Sequence, residues 1–160
     1  MKKNKIKLYM FFFMMIIIKK SNAEQVNFQG ALVESLPCTI NNGEIIEVNF
    51  EDNIVIRNVD GYRYSKQVPY SISCINIGSV RISINGTQTN FDDAAILSSI
   101  PGLGIHMSIG NGMPLIINSY VNIINAQSPP EIRAVPVIDP KNAPLPGAFT
   151  ANATLLAEYE

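Results

Sequence analysis

The sequence holds one histidine, two cysteines and, after residue 18, no apolar stretch long enough to cross a bilayer. Each scarcity removes a class of function. A lone imidazole, His106, and two cysteines far apart in the chain do not supply the ligand sets that hold a structural or catalytic metal. His106 falls on the polar parity of an alternating segment, where a solvent-facing side chain is expected rather than a general base. Gly102-Leu103-Gly104 lacks the third glycine and the strand-to-helix context of a dinucleotide site, and reads as the turn into a strand. There is no Gly-x-Ser-x-Gly elbow, no phosphate loop and no His-Glu-x-x-His pattern. Asp92 and Asp93 are neighbours on a strand or turn, so their carboxylates are expected to diverge rather than share a cation. No catalytic residue, cofactor site or metal site is expected.

What is present begins with a basic opening, Met1-Lys2-Lys3-Asn4-Lys5-Ile6-Lys7, followed by eleven apolar residues from Leu8 to Ile18. Ser21-Asn22-Ala23 then places small residues where a signal peptidase reads. This three-part pattern predicts a secretory signal over residues 1–23, with Glu24 as the first mature residue. As a helix the apolar run would span only about 16 Å, roughly half a hydrocarbon core. Removing the signal also changes the charge. Six of the twelve Lys and Arg lie within it and all thirteen acids lie beyond it, so the mature product carries six bases against thirteen acids, a net −7. A domain that acidic repels phosphate backbones, and nucleic acid is not an expected partner. Export to an oxidising compartment makes a Cys38–Cys74 disulfide the expectation, stabilising the fold by about 3–4 kcal/mol in the chain-entropy model.

Beyond Cys38 short apolar segments alternate with Asn-Gly, Asp-Gly and Pro-Gly punctuation, the pattern of an all-β sandwich. Val68, Tyr70, Ile72 and Cys74 occupy one face of a segment. Val80, Ile82 and Ile84 do the same before Asn85-Gly86, and Leu103, Ile105, Met107 and Ile109 before Asn111-Gly112; both Asn-Gly pairs are expected in tight turns with positive φ. Residues 115–124 and 132–138 read as further strands. Residues 91–100 fit either a short helix or an irregular crossover. The final stretch carries the plainest signal: Phe149, Ala151, Ala153, Leu155, Ala157 and Tyr159 occupy every second position, predicting one long strand with an apolar face that needs neighbours on both sides. Residues 24–37 also alternate, through Val26, Phe28, Gly30 and Leu32, and periodicity alone leaves open whether they form the domain's own first strand or one meant for another molecule.

The ends of the mature chain carry a resemblance. Val26-Asn27-Phe28-Gln29-Gly30, Pro37-Cys38-Thr39-Ile40-Asn41-Asn42-Gly43, residues 67–74, Leu103-Gly104-Ile105 and the terminal Gly147-Ala148-Phe149-Thr150-Ala151-Asn152-Ala153-Thr154-Leu155 with Tyr159 are similar to the minor subunits of chaperone–usher fimbriae. In particular the chain resembles the tip adaptor pilins of P-type fimbriae. The resemblance implies an incomplete immunoglobulin-like β-sandwich that lacks its final strand and is completed by donor-strand exchange. It implies three parts: a signal over residues 1–23, a donor-strand extension over residues 24–37 and a pilin domain over residues 38–160. A periplasmic pilus chaperone would lend the missing strand, and at an outer-membrane usher a neighbouring pilin's extension would replace it, near a tip adhesin at the cell surface. Val26, Phe28, Gly30 and Leu32 would be this chain's donated residues. Gly147, Phe149, Ala151, Ala153, Leu155 and Tyr159 would form the groove strand that the chaperone reads. Phe50-Glu51 departs from the pattern, since many relatives carry a glycine after that phenylalanine. A major shaft pilin, or a stand-alone secreted binding module, are the alternative readings.

Overall fold

Alternation of apolar and polar residues is what builds the strands, and it does so within residues 38–50, 52–75, 79–123 and 125–159, the parts of the chain that the computed structural model describes. The expected signal, the segment with Val26, Phe28, Gly30 and Leu32, and Glu51 all lie outside the described residues. Ten strands follow in order: β1 (Cys38–Ile40), β2 (Lys66–Gln67), β3 (Ile72–Cys74), β4 (Val80–Gly86), β5 (Ala95–Leu97), β6 (Leu103–Ile109), β7 (Met113–Pro114), β8 (Tyr120–Ile123), β9 (Ile132–Ile138) and β10 (Ala153–Tyr159). All pairings among them are antiparallel. One sheet runs β10-β4-β8, a second runs β2-β9-β6-β5 with β7 also on β6, and β1 pairs with β3.

The two larger sheets share one core. Val80, Ile82 and Ile84 of β4 and Ile123 of β8 meet Ile105, Met107 and Ile109 of β6 and Ile132 and Ala134 of β9. Ile82, Leu115, Ile132 and Val80 are fully buried, each worth about 1.5–3 kcal/mol against exposure. Ser83 is buried too, because Leu156 of β10 and Tyr120 of β8 flank it in register on the outer face. Pro136, in the middle of β9, sits opposite Ile105 of β6, while the β2 ladder stops at Lys66 opposite Ala134. At Pro136, then, β9 has a strand neighbour on one side only among the described residues, and a missing N–H costs no ladder bond on the other. Cys38 and Cys74 are bonded and face each other across β1 and β3, with Cα atoms 4.3 Å apart.

Three expectations are corrected. Gly86 does not leave β4 in a turn: it stays extended opposite Ala153, where an added Cβ would come within 3.3 Å of the Ala153 Cβ and the Asn152 carbonyl oxygen. Residues 115–124 are not one strand. Asn118 takes φ 62° and its amide bridges Gly86, donating to the Gly86 carbonyl at 3.1 Å and accepting from the Gly86 N–H at 3.1 Å, so the ladder begins only at Tyr120. Residues 91–100 contain neither a helix nor a crossover but a turn followed by β5, pairing Ala95 with His106.

The other turn glycines behave as expected, and Gly102 is the most constrained. Its φ is +81°, and an added Cβ would lie 2.0 Å from the Asn142 carbonyl oxygen. Gly102→Ala should therefore destabilise the domain by at least about 2 kcal/mol, combining a disfavoured backbone with a forced shift of the facing loop. A urea midpoint unchanged from wild type would show that the loop at Asn142 yields without cost.

Candidate functional site

The C-terminal strand forms an edge of its sheet. β10 pairs with β4 along its whole length, Ala153 opposite Gly86 through Tyr159 opposite Val80. On its other side no ladder is formed among the described residues, although β1 runs close by. From Ala153 to Glu158 a row of backbone N–H and C=O groups on that side thus has no strand partner among the described residues, beside an apolar interior.

Next to that edge lies a cleft of about 1500 Å³. Its floor is the sandwich core itself, with Ile84, Ile96, Ile105, Met107 and Ile132 among its lining. One wall is the C-terminal segment. Phe149, Ala151, Leu155, Ala157 and Tyr159 are half-buried against the core, as expected of the alternate positions. Ala153 lines the cleft but is exposed, and Gly147 is exposed at the mouth, where a Cβ would meet only the Ile100 Cδ1 at 3.5 Å. The strand is shorter than its alternation predicts. β4 ends at Gly86, so residues 149–152 have nothing to pair with there; Thr150 instead accepts from the Ser99 N–H at 2.8 Å and donates its own N–H to the Ser99 Oγ at 3.0 Å.

The opposite wall was not anticipated. Asn41, Asn42 and Gly43 all take positive φ (45°, 52° and 86°) and turn the chain out of β1. Asn41 is held there by its Oδ1, which accepts from the Ser71 N–H at 2.7 Å. The chain then runs along the cleft with Ile46, Val48 and Phe50 packed toward the core and Glu47 and Asn49 exposed. The rings of Phe50 and Phe149 approach to 5.9 Å between centroids, joining the two walls. The alternation of Ile46, Val48 and Phe50 was visible in the sequence, but no ladder accompanies it.

Polar groups on the outer face fix β10 in place. Arg81 of β4 donates to the Glu158 Oε2 at 3.0 Å and lies 4.3 Å from the centre of the Tyr120 ring, while the Tyr120 hydroxyl bonds the Glu158 Oε1. That hydroxyl, and then Arg81, holds the Glu158 carboxyl below the usual carboxylate range; the same bond pushes the Tyr120 phenol up. One cluster therefore ties together all three strands of the sheet that carries the open edge.

The titratable residues singled out in the sequence are paired locally. His106 is half-buried rather than solvent-facing, because Asp92, in the turn before β5, reaches it with 2.7 Å between the Nδ1 and the Oδ2. Asp92 and Asp93 diverge as expected, Asp92 toward His106 and Asp93 toward Gln88. No group of three potential metal ligands occurs among the described residues.

An all-β sandwich whose C-terminal strand is paired on one side only among the described residues has the architecture of a domain to which a further strand can add. A family model described as "Fimbrial protein" matches residues 26–160, and the chain belongs to this family of structural pilins. It is 32% identical over 144 residues to the uncharacterized fimbrial-like protein YfcQ of Escherichia coli strain K12, covering 86% of this chain and 88% of that one. It is also 37% identical over 99 residues to the fimbrial adapter PapF of Escherichia coli, 59% of this chain and 58% of PapF. The solved P pilus adaptor subunit PapF matches with a TM-score of 0.54 at 27% identity, over 79% of this chain and 98% of that one. The P pilus rod subunit PapA shares the fold, with a TM-score of 0.63 at 18% identity over 85% of this chain and 100% of PapA. The fold is accordingly the immunoglobulin-like one of pilin subunits, and the chain is a fimbrial subunit whose family places it in an extracellular pilus.

Proposed function

We propose that this pilin is a minor, adaptor-type subunit near the fibre tip, assembled by donor-strand exchange through a periplasmic chaperone and an outer-membrane usher. The observation that carries the reading is the edge of β10 that carries no ladder among the described residues, beside a cleft floored by core residues. An extended strand laid there would pair with β10 and place alternate side chains on Ile84, Ile105, Met107 and Ile132, which is strand addition with pockets for every second residue. The chaperone supplies that strand first and a neighbouring pilin supplies it in the fibre. Residues 24–37 are, in turn, the strand this chain donates, and residues 1–23 the signal removed on export. Likeness to PapF favours an adaptor over a shaft subunit.

The energetics suit a fibre. Burying Val26, Phe28, Leu32 and one further apolar side chain contributes about 1.5–3 kcal/mol each, before the cost of ordering the extension. The test is to express the mature chain with and without a pilus chaperone encoded beside it. Stable soluble subunit only as a one-to-one chaperone complex is expected. A stable monomer without any strand donor would favour the stand-alone module instead.

A further inference from the structure

The floor and walls of the cleft are apolar, so shape and hydrophobicity alone would admit almost any alternating extension, this chain's own included. Charge does not. Among the described residues, the ionisable ones lining the cleft are Glu44, Glu47, Asp52 and Arg57, three acids against one base. Glu44, Glu47 and Asp52 are all exposed, and Glu47 alternates with Ile46 and Val48 along one wall, so the apolar pair faces the core and the carboxylate follows the lip. Residues 24–37 contain Glu24 and Glu34 and no Lys or Arg. Counting a new α-amino group at Glu24, that segment still carries a net −1. A second copy of this chain would therefore bring a negative strand to a negative lip.

We infer that the acidic lip selects the occupant of the cleft: it admits the N-terminal extension of a different subunit, with alternating apolar residues and outward Lys or Arg, and slows entry of this chain's own residues 24–37. The inference rests on the strand-acceptor reading above and gives it a partner chemistry. Charges at a solvent-exposed lip act mainly on the rate of encounter and are screened over about 10 Å in 0.1 M salt. The selectivity is accordingly kinetic and salt-dependent. It makes the chain a poor partner for itself, which suits a joint used once between two other subunits rather than a repeating shaft.

Synthetic peptides of residues 24–37 test this on the mature chain purified with its chaperone, by the rate at which each peptide displaces the chaperone. Three are compared: the native sequence, a Glu24→Gln/Glu34→Gln peptide and a Glu24→Lys/Glu34→Lys peptide, with Phe28→Asp as the control that should not insert. At low ionic strength the lysine peptide should enter about tenfold faster than the native one, at the lower end of electrostatic steering, with the glutamine peptide between them. In about 0.5 M salt the spread should fall below about twofold. The chain with Glu44→Gln, Glu47→Gln and Asp52→Asn should accept the native peptide faster than wild type does; if that variant folds poorly, the peptide series on wild type decides alone. Equal rates for the three peptides at low salt would overturn charge selection while leaving the cleft a strand acceptor. Failure of every peptide to displace the chaperone would instead remove the strand-acceptor reading itself.

Discussion

A chain with both Cys38→Ser and Cys74→Ser is expected to lose about 4 kcal/mol of stability, a large share of the about 5–15 kcal/mol typical of a domain. The bridge closes a loop with a sequence separation of 36, and the chain-entropy model converts a loop of that length into about 3.8 kcal/mol at 25 °C. Its position adds a second reason. Cys38 opens β1 and the turn at Asn41 follows three residues later, so the bond anchors the point from which the Ile46–Val48–Phe50 wall departs. Without it, β1 and β3 are joined by a three-residue ladder and a Thr39 hydroxyl bond to the Ser73 carbonyl, with Asn41 just beyond β1 bonded to Pro69 and Ser71. Urea unfolding of the chaperone-free chain carrying a saturating donor peptide, for wild type and the double serine variant, measures the loss. A change in midpoint corresponding to less than about 1 kcal/mol would mean that the loop retains its closure in the unfolded ensemble, and that the entropy model misdescribes this domain.

Much of the sandwich was legible because its strands are half-buried and obey a period of two. β6 and β9 coincide with the segments read from alternation and apolar content, and the face assigned to Cys74 is the face it uses. What failed did so where a distant residue decides the local structure. Leu115-Ile116-Ile117 looks like the start of a strand, yet the pairing of Asn118 with Gly86, far away in sequence, turns the chain instead. β5 is three residues long, too short for any period to declare itself. His106 carries the parity of an outward side chain and does point away from the core, but Asp92 covers it. The C-terminal wall of the cleft was readable in full as alternation, whereas its length as a strand was not, because that is fixed by where β4 ends. The opposite wall carries an equal alternation from Ile46 to Phe50, bounded by Asn41-Asn42-Gly43 and Asp52-Asn53, yet it forms no ladder among the described residues, so its period alone does not make it a strand.

The largest functional effect is expected from Gly30, in the segment proposed as this chain's donor strand. Under the donor-strand reading, Gly30 has no part in the folding of its own subunit, so Gly30→Asn should give wild-type amounts of chaperone complex. Its effect should fall on the next step, when the extension enters a neighbour's cleft. There a strand lies directly on core side chains, and a position with no side chain allows the two backbones to approach. Asparagine adds a side chain that must either overpack the recipient core, at about 1–3 kcal/mol, or bury an amide without partners at a similar cost. At 1.4 kcal/mol per tenfold, that range corresponds to roughly 5- to 150-fold less favourable insertion. Replacement of the chaperone strand proceeds along the cleft, so a single blocked position also stalls the residues that follow it. Incorporation into fibres should fall by at least about tenfold while the chaperone complex is unchanged, read by pull-down with tagged chaperone beside a sheared-fibre preparation. If residues 24–37 were instead the first strand of this domain, the same substitution would strike folding, and the chaperone complex would be lost along with the fibre. Normal incorporation of the variant would show that the recipient cleft is deep enough at that point to hold a side chain, and Gly30 would then have no role in strand entry.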